Sequence, residues 1–241
     1  MLQFPLVVFF HGGWWKSKYD LMYAGHLCAA LKSMGIAVWS VEYRRVGETG
    51  GGWPMTFEDV AAGLEFVATL AESYSIDLER VITMGHSAGG HLAFWAAGKG
   101  RIGAGEMKLP VSRIKLVGAI ALAGAVDLRM TMELAGEDVF AHDRDEISAL
   151  MGGTPEVVPE RYGRGNPGDL LPFGVPQILI QGTEDDQIPP GLPARWATAA
   201  GEAGDDVTVE MIAGADHMDV VDPESEAWEV VRAAVHGFLL R

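Results

Sequence analysis

Val81-Ile82-Thr83-Met84-Gly85-His86-Ser87-Ala88-Gly89-Gly90 places a Gly-x-Ser-x-Gly signature between a strand-like run and a helix-like run. That context describes a tight strand-to-helix turn with Ser87 at its apex. Small residues two positions to either side let strand and helix approach without Cβ clashes. Ser87 is therefore the candidate nucleophile. A five-residue pattern recurs by chance in unrelated chains, so its weight depends on whether the rest of the chain supplies a base, an acid and donors for an oxyanion.

Upstream, Leu6-Val7-Val8-Phe9-Phe10 reads as a fully buried strand that runs into His11-Gly12-Gly13-Trp14-Trp15. In isolation the glycine pair marks a strand-ending turn. Paired with the downstream signature it reads as an oxyanion loop, with N–H groups of Gly13, Trp14 and Ala88 as donors. One such donor contributes roughly 3–4 kcal/mol of transition-state stabilisation. Downstream, the strand Gln177-Ile178-Leu179-Ile180-Gln181 leads into Gly182-Thr183-Glu184-Asp185-Asp186-Gln187-Ile188-Pro189. Asp185, third after the glycine, is the expected acid, with Glu184 and Asp186 as competitors. The strand Val207 to Ile212 ends in Ala213-Gly214-Ala215-Asp216-His217, and His217 is the expected base. Asp185 would hold its tautomer and stabilise the imidazolium.

The remaining histidines lack this placement. His26, His91 and His236 fall in helical stretches, His142 in a polar segment, and His86 inside the elbow. There packing beside the nucleophile, or contact with substrate, is expected rather than proton transfer. No His-Glu-x-x-His or Cys-x-x-Cys spacing occurs, so neither a metal nor a cofactor is expected.

The order Ser…Asp…His is that of the α/β-hydrolase plan. With these elements in place the chain resembles α/β-hydrolase-fold serine hydrolases. More narrowly, it is similar to the esterase, arylformamidase (kynurenine formamidase-like) and prolyl-oligopeptidase-like group with a His-Gly-Gly-aromatic-Trp oxyanion loop. The matching segments are His11 to Trp15, Glu42-Tyr43-Arg44 with Gly52-Trp53-Pro54, Gly85 to His91, and the Asp185 and His217 loops. The resemblance implies cofactor-free hydrolysis of carboxylic esters or formyl amides, with the triad carried by Ser87, Asp185 and His217; it does not specify the substrate. One departure stands out. The group carries two strands before the oxyanion-loop strand, whereas here that strand begins within a few residues of Met1; the N-terminal strands are expected to be shortened or absent. The Ile36 to Val41 strand would then be a sheet edge, open to pairing with a second copy of the chain as a homodimer.

At 241 residues with 49% hydrophobic residues, one α/β-hydrolase domain over 1–241 is the economical expectation. Six strand-like runs (Leu6 to Phe10, Ile36 to Val41, Val81 to Met84, Lys115 to Leu122, Gln177 to Gln181, Val207 to Ile212) alternate with amphipathic stretches. This predicts a mostly parallel sheet with helices on both faces. Helices are expected over Leu21 to Met34, ending at Gly35, over Thr56 to Ser73, and from an Asp222-Pro223 start to Leu240. Residues 127–174 interrupt the rhythm and read as a small cap insertion. Within it Asp138 to Met151 is expected to be helical and Tyr162 to Leu171 loop. So small a cap favours short acyl or aryl groups. Trp14, Trp15 and Trp53 are expected at the cleft wall, where aromatic surfaces suit an aryl substrate; core packing is the competing reading for each. Glu42, Tyr43 and Arg44 read as a strand-end hydrogen-bonding brace.

A net charge of −15 argues against nucleic-acid partners and, more weakly, against anionic membranes. The single cysteine, Cys28, allows no internal disulfide and fits a reducing compartment. No signal peptide or membrane-length segment is read, and cytoplasmic residence is the expectation. The leading functional reading is a serine esterase acting on a small-molecule ester through an acyl-enzyme. Arylformamidase action on a small formyl amide is the alternative. A peptidase, or a non-catalytic relative that binds ligand, ranks below both.

Overall fold

The computed structural model describes residues 3–103, 105, 107–135 and 142–240. Among them the strands β1 (Phe4–Phe10), β2 (Ala37–Val41), β3 (Ile76–His86), β4 (Leu116–Leu122), β5 (Gln177–Gly182) and β6 (Val207–Ile212) form one sheet of order β2-β1-β3-β4-β5-β6. All neighbours are parallel, with Val7 opposite Val38 on one side and Ile82 on the other. The expected strands are all present, and the Val81 to Met84 run extends back to Ile76 and on to His86. This is the α/β-hydrolase architecture, with β2 at an edge.

The reason is visible in β1. Residues Leu6 to Phe10 are buried on both faces, the pattern of a parallel strand covered by helices on both sides. Leu6, Val8 and Phe10 pack with Phe57 and Val60 of α2 (Met55–Glu65) and with Leu92 and Trp95 of α4 (Ala88–Gly98). Val7 and Phe9 pack with Leu27 and Leu31 of α1 (Gly25–Ser33) and with Val231 and Val235 of α9 (Trp228–Leu239). The period-2 alternation of a strand thus feeds two cores, and each large apolar side chain so buried contributes about 1.5–3 kcal/mol.

Helix boundaries depart from expectation in four places, the first being that the expected Leu21 to Met34 helix opens as a 3-10 turn over Leu21–Ala24 before α1. The predicted Thr56 to Ser73 helix is α2 followed by the short α3 (Val67–Leu70), after which the chain tightens into i→i+3 bonds, Glu72 N to Thr69 O and Ser73 N to Leu70 O. The last helix begins at Trp228, not at Asp222-Pro223. Asp222 Oδ1 instead accepts from Glu224 N, closing a turn, and Ser225 Oγ accepts from Ala227 N. Between β4 and β5 lie α5 (Leu128–Leu134), α6 (His142–Met151) and α7 (Pro159–Gly165). Tyr162 to Leu171, read as loop, is therefore partly helical, with a 3-10 turn at Pro167–Leu170. Residues 138–141 of the expected cap helix lie outside the described residues. Helix α8 (Leu192–Ala203) leads into β6, and α1 ends as expected with Gly35 in a left-handed conformation at φ +78°.

The sheet grows from β1 toward β2 on one side and toward β3 on the other. In open parallel sheets such a reversal opens a crevice at the carboxyl ends of the strands. Because all strands run the same way, the segments after β1, β3, β5 and β6 emerge along that one rim.

Candidate active site

Ser87 follows β3 directly and adopts φ 56°, ψ −122°, a conformation sparsely populated by residues with a side chain. The glycines around it explain why the turn closes. A Cβ on Gly85 would lie 2.0 Å from Gly89 O, and one on Gly89 would lie 2.0 Å from Phe10 O. The elbow is pinned to the end of β4 by Ser87 N donating to Leu122 O at 2.9 Å and by Ala125 N donating to Ser87 O at 3.2 Å.

After β5, the Asp185 carboxylate is fully enclosed, and Nδ1 of His217 lies 3.0 Å from each of its oxygens. Oδ1 also accepts from Gln187 N at 2.8 Å and Ile188 N at 3.0 Å, so the carboxylate is fixed by its own loop. Glu184 and Asp186 line the neighbouring cavity, and Asp186 Oδ1 is taken by Gln187 Nε2. Among the described residues, Ser87 Oγ and the His217 ring make no hydrogen bond to each other, although both line the same cavity.

The loop after β1 runs through left-handed φ values at Gly13 (107°), Trp14 (54°) and Trp15 (53°). It is held by Lys16 N donating to Gly13 O at 2.9 Å, Val46 N donating to Trp15 O at 2.7 Å, and an ion pair of Lys16 with Glu146 of α6. Successive residues bent this way turn their N–H groups toward a common concavity. Among the described residues, the N–H groups of Gly13, Trp14 and Ala88 have no acceptor within the chain. The cavity beside them measures about 440 Å³ and is walled by Trp14, Tyr19, Tyr23 and Met218. Glu184, Asp186 and Asp216 also line it, with no Lys or Arg among the described residues.

Two expected wall residues lie elsewhere. Trp15 is fully buried, edge-on to His91 at 5.3 Å, because it fills the core with Phe10, Phe57 and Trp95 while its neighbour Trp14 takes the cavity side. Trp53 packs edge-on against Phe57 at 5.2 Å and faces a separate depression lined by Val157 to Arg164. His86 does line the cavity, but both ring nitrogens are already engaged, by Tyr23 OH and His217 O, which leaves no polar atom for a substrate. Glu42, Tyr43 and Arg44 form the brace read from sequence. Tyr43 OH donates to His11 O at 2.8 Å, Glu42 pairs with His11 Nε2, and Arg44 grips Asp59 through Nε and Nη2. Tyr19, Tyr23 and Met218 are cavity residues that sequence reasoning missed; the only local signal of Tyr23 was a place in a helical stretch.

Burial sets the electrostatics around the site. It holds His86 well below the ordinary imidazole range, with the adjacent His217 adding to the effect, and it lowers His91 to about 4. On α6, Asp143 is fully enclosed and neither of its oxygens is hydrogen-bonded among the described residues, with His142 Nε2 lying 3.4 Å from Oδ1. Desolvation, followed by the charges of Asp185 and Glu146, raises it to about 7. Its neighbour His142 meets the Trp14 ring edge-on at 4.8 Å, so α6 abuts the oxyanion loop. Among the described residues no cluster of three or more His, Cys, Asp or Glu is arranged to hold a metal ion, and no helix is long and apolar enough to cross a membrane.

The family model BD-FAE matches residues 2–194, which include Ser87 and Asp185. The chain belongs to the BD-FAE family. BD-FAE proteins are α/β-hydrolase esterases. A probable isoprenylcysteine alpha-carbonyl methylesterase of Oryza sativa subsp. japonica is 27% identical over 229 residues, covering 90% of this BD-FAE chain and 52% of the rice protein. The chain thus spans about half the length of that curated relative. Among solved structures, esterase B from Lactobacillus rhamnosis superposes with a TM-score of 0.81 at 21% identity, covering 98% of this chain and 75% of its own. A truncated carbohydrate esterase from gut microbiota gives 0.81 at 18% identity, covering 100% and 88%. These two likenesses show that the BD-FAE chain shares their fold.

Proposed function

We propose that this chain is a serine carboxylesterase working through Ser87, His217 and Asp185. The observation that carries the reading is the enclosed Asp185 carboxylate 3.0 Å from His217 Nδ1, beside a cavity shared with a serine in a strained elbow. Asp185 accepts a hydrogen bond from Nδ1–H, which fixes the tautomer and leaves Nε2 as the free base. Nε2 takes the Ser87 hydroxyl proton as Oγ bonds to the ester carbonyl carbon. The carbonyl oxygen becomes an oxyanion facing the N–H groups of Gly13, Trp14 and Ala88. The C–O bond to the alcohol then breaks, His217 returns the proton to the leaving oxygen, and water repeats the sequence to release the acid. The Ser87–His217 hydrogen bond closes when substrate seats, as catalytic contacts commonly tighten in the Michaelis complex. A cavity of about 440 Å³ that must hold both halves of the ester favours short acyl groups.

The aromatic wall of Trp14, Tyr19 and Tyr23 favours one second reading, arylformamidase action, in which the same groups attack a formyl amide on an aryl amine. The test compares wild type with Ser87→Ala on p-nitrophenyl esters of increasing chain length and on N-formylkynurenine. Preference for short esters, lost in the variant, supports the esterase. A much higher kcat/KM on the formyl amide moves the assignment to arylformamidase, and turnover retained in Ser87→Ala overturns both.

A further inference from the structure

Three segments of the site that are far apart in sequence are joined by a single line of hydrogen bonds. Gly12 N lies 2.7 Å from Tyr23 OH, Tyr23 OH lies 2.8 Å from His86 Nδ1, and His86 Nε2 lies 3.0 Å from His217 O. The chemistry of the two ends decides every proton in it. A peptide N–H can only donate and a carbonyl can only accept. Gly12 therefore donates to the phenol oxygen, the phenol donates to Nδ1, and His86 is the neutral Nε2–H tautomer donating to His217 O. Each polar group of this partly buried line is then satisfied, and bonds so aligned strengthen one another.

The line connects the oxyanion loop to the residue before the nucleophile, and that residue to the backbone of the candidate base. Its first bond engages the N–H of Gly12 and so sets the plane of the peptide preceding the donors of Gly13 and Trp14. Close packing reinforces it: a Cβ on Gly12 would lie 3.0 Å from both Tyr23 OH and Ser87 Cβ. Its last bond holds the main chain of His217 while Asp185 holds the ring. The His86 and His217 rings lie 4.6 Å apart, so a cation on His86 would oppose the imidazolium that forms on His217 during turnover. Burial, which pushes His86 down and the Tyr23 phenol up, keeps both neutral.

We propose that Tyr23 and His86 are positioning residues that hold the oxyanion donors and His217 in register with Ser87. This rests on the serine-esterase reading above. Neither residue exchanges a proton with substrate; each acts through the groups it holds.

The experiment measures kcat, KM and melting temperature on a short p-nitrophenyl ester for Tyr23→Phe, His86→Gln and the double variant. It adds 15N NMR of the histidine rings in the wild type. Gln can place a donor near the Nε2 position while losing the Tyr23 contact. Each single variant is expected to lower kcat roughly 10- to 100-fold, short of the 10²–10³ of a deleted oxyanion donor, with KM within about threefold. The double variant should be little worse than the poorer single one, because both cut the same line. The wild-type spectrum should show His86 as the neutral Nε2–H tautomer from pH 5 to 9, a readout independent of whether the variants fold. Folded variants with unchanged kcat, losses confined to KM, losses that multiply independently, or a His86 that titrates in that range would each overturn the proposal. Full turnover in Ser87→Ala would instead overturn the underlying reading while leaving the NMR result standing.

Discussion

Nδ1 of His217 sits 3.0 Å from both oxygens of Asp185, whereas Asp186, one residue on, spends its Oδ1 on the side chain of Gln187. Adjacent carboxylates on one loop therefore have separate tasks. Asp185→Asn should lower kcat by about 10³–10⁴, the scale expected when the tautomer of a catalytic imidazole is lost. Asp186→Asn should stay within a few fold of wild type. Steady-state kinetics on one ester check both, and a larger loss at Asp186 would reverse the assignment.

The elbow glycines touch across the strand-to-helix turn. Gly89→Ala would push a methyl against the carbonyl oxygen of Phe10. Overpacking of that kind costs about 1–3 kcal/mol, and displacement of Ser87 should cost activity as well. Chemical denaturation alongside kinetics checks this, and a variant as stable and active as the parent would contradict the close approach.

Asp143 and His91 make opposing contributions to the pH dependence of stability. The folded value of Asp143, about 7, lies above its ordinary 3.8, so between those values the folded state holds the proton that the unfolded state has released. Its contribution is present below pH 3.8 and is lost as pH rises to 7, by up to about 4 kcal/mol. His91, lowered from 6.5 to about 4, is protonated first in the unfolded chain, so its contribution is present above pH 6.5 and is lost as pH falls to 4. Asp143→Asn should therefore be more stable than wild type at pH 8, with a smaller gain at pH 4. Denaturation midpoints across pH 4–8 read the difference directly, and parallel curves for the two proteins would rule out an Asp143 held neutral by burial.

Glu184, Asp186 and Asp216 line the cavity with no Lys or Arg beside them among the described residues, on a chain of net charge −15. An ester with an anionic acyl or alcohol group should show a lower kcat/KM than its neutral isostere. The gap should narrow from low salt to about 0.5 M, where the Debye length falls below 5 Å. Equal rates at both ionic strengths would show that these carboxylates do not face the substrate.

Much of the architecture was legible in the chain because fully buried parallel strands leave continuous apolar runs, as Leu6 to Phe10 does, and because Gly85 and Gly89 mark a turn that only close backbone approach explains. The tryptophans were not legible. Trp14 and Trp15 are neighbours on one loop, yet the first lines the cavity and the second is sealed in the core. A loop with a run of left-handed φ values has no periodicity from which side-chain direction can be read. Tyr23 was hidden for a different reason: its partners lie 11 and 63 residues away, and nothing local to Leu21 to Ala24 distinguishes its hydroxyl from that of an ordinary half-buried tyrosine.

The sequence by itself determined the six strand segments along the chain, the place of the elbow, and the two loops from which an acid and a base arise. These depend on hydrophobic period and glycine spacing, which are local properties of the chain. Only the tertiary structure decided which of three consecutive carboxylates meets His217, which tryptophan faces the cavity, and that Tyr23 and His86 tie the loops together. Those outcomes depend on where segments from four parallel strands converge, and convergence at one rim of a sheet is a product of packing that no single stretch of sequence encodes.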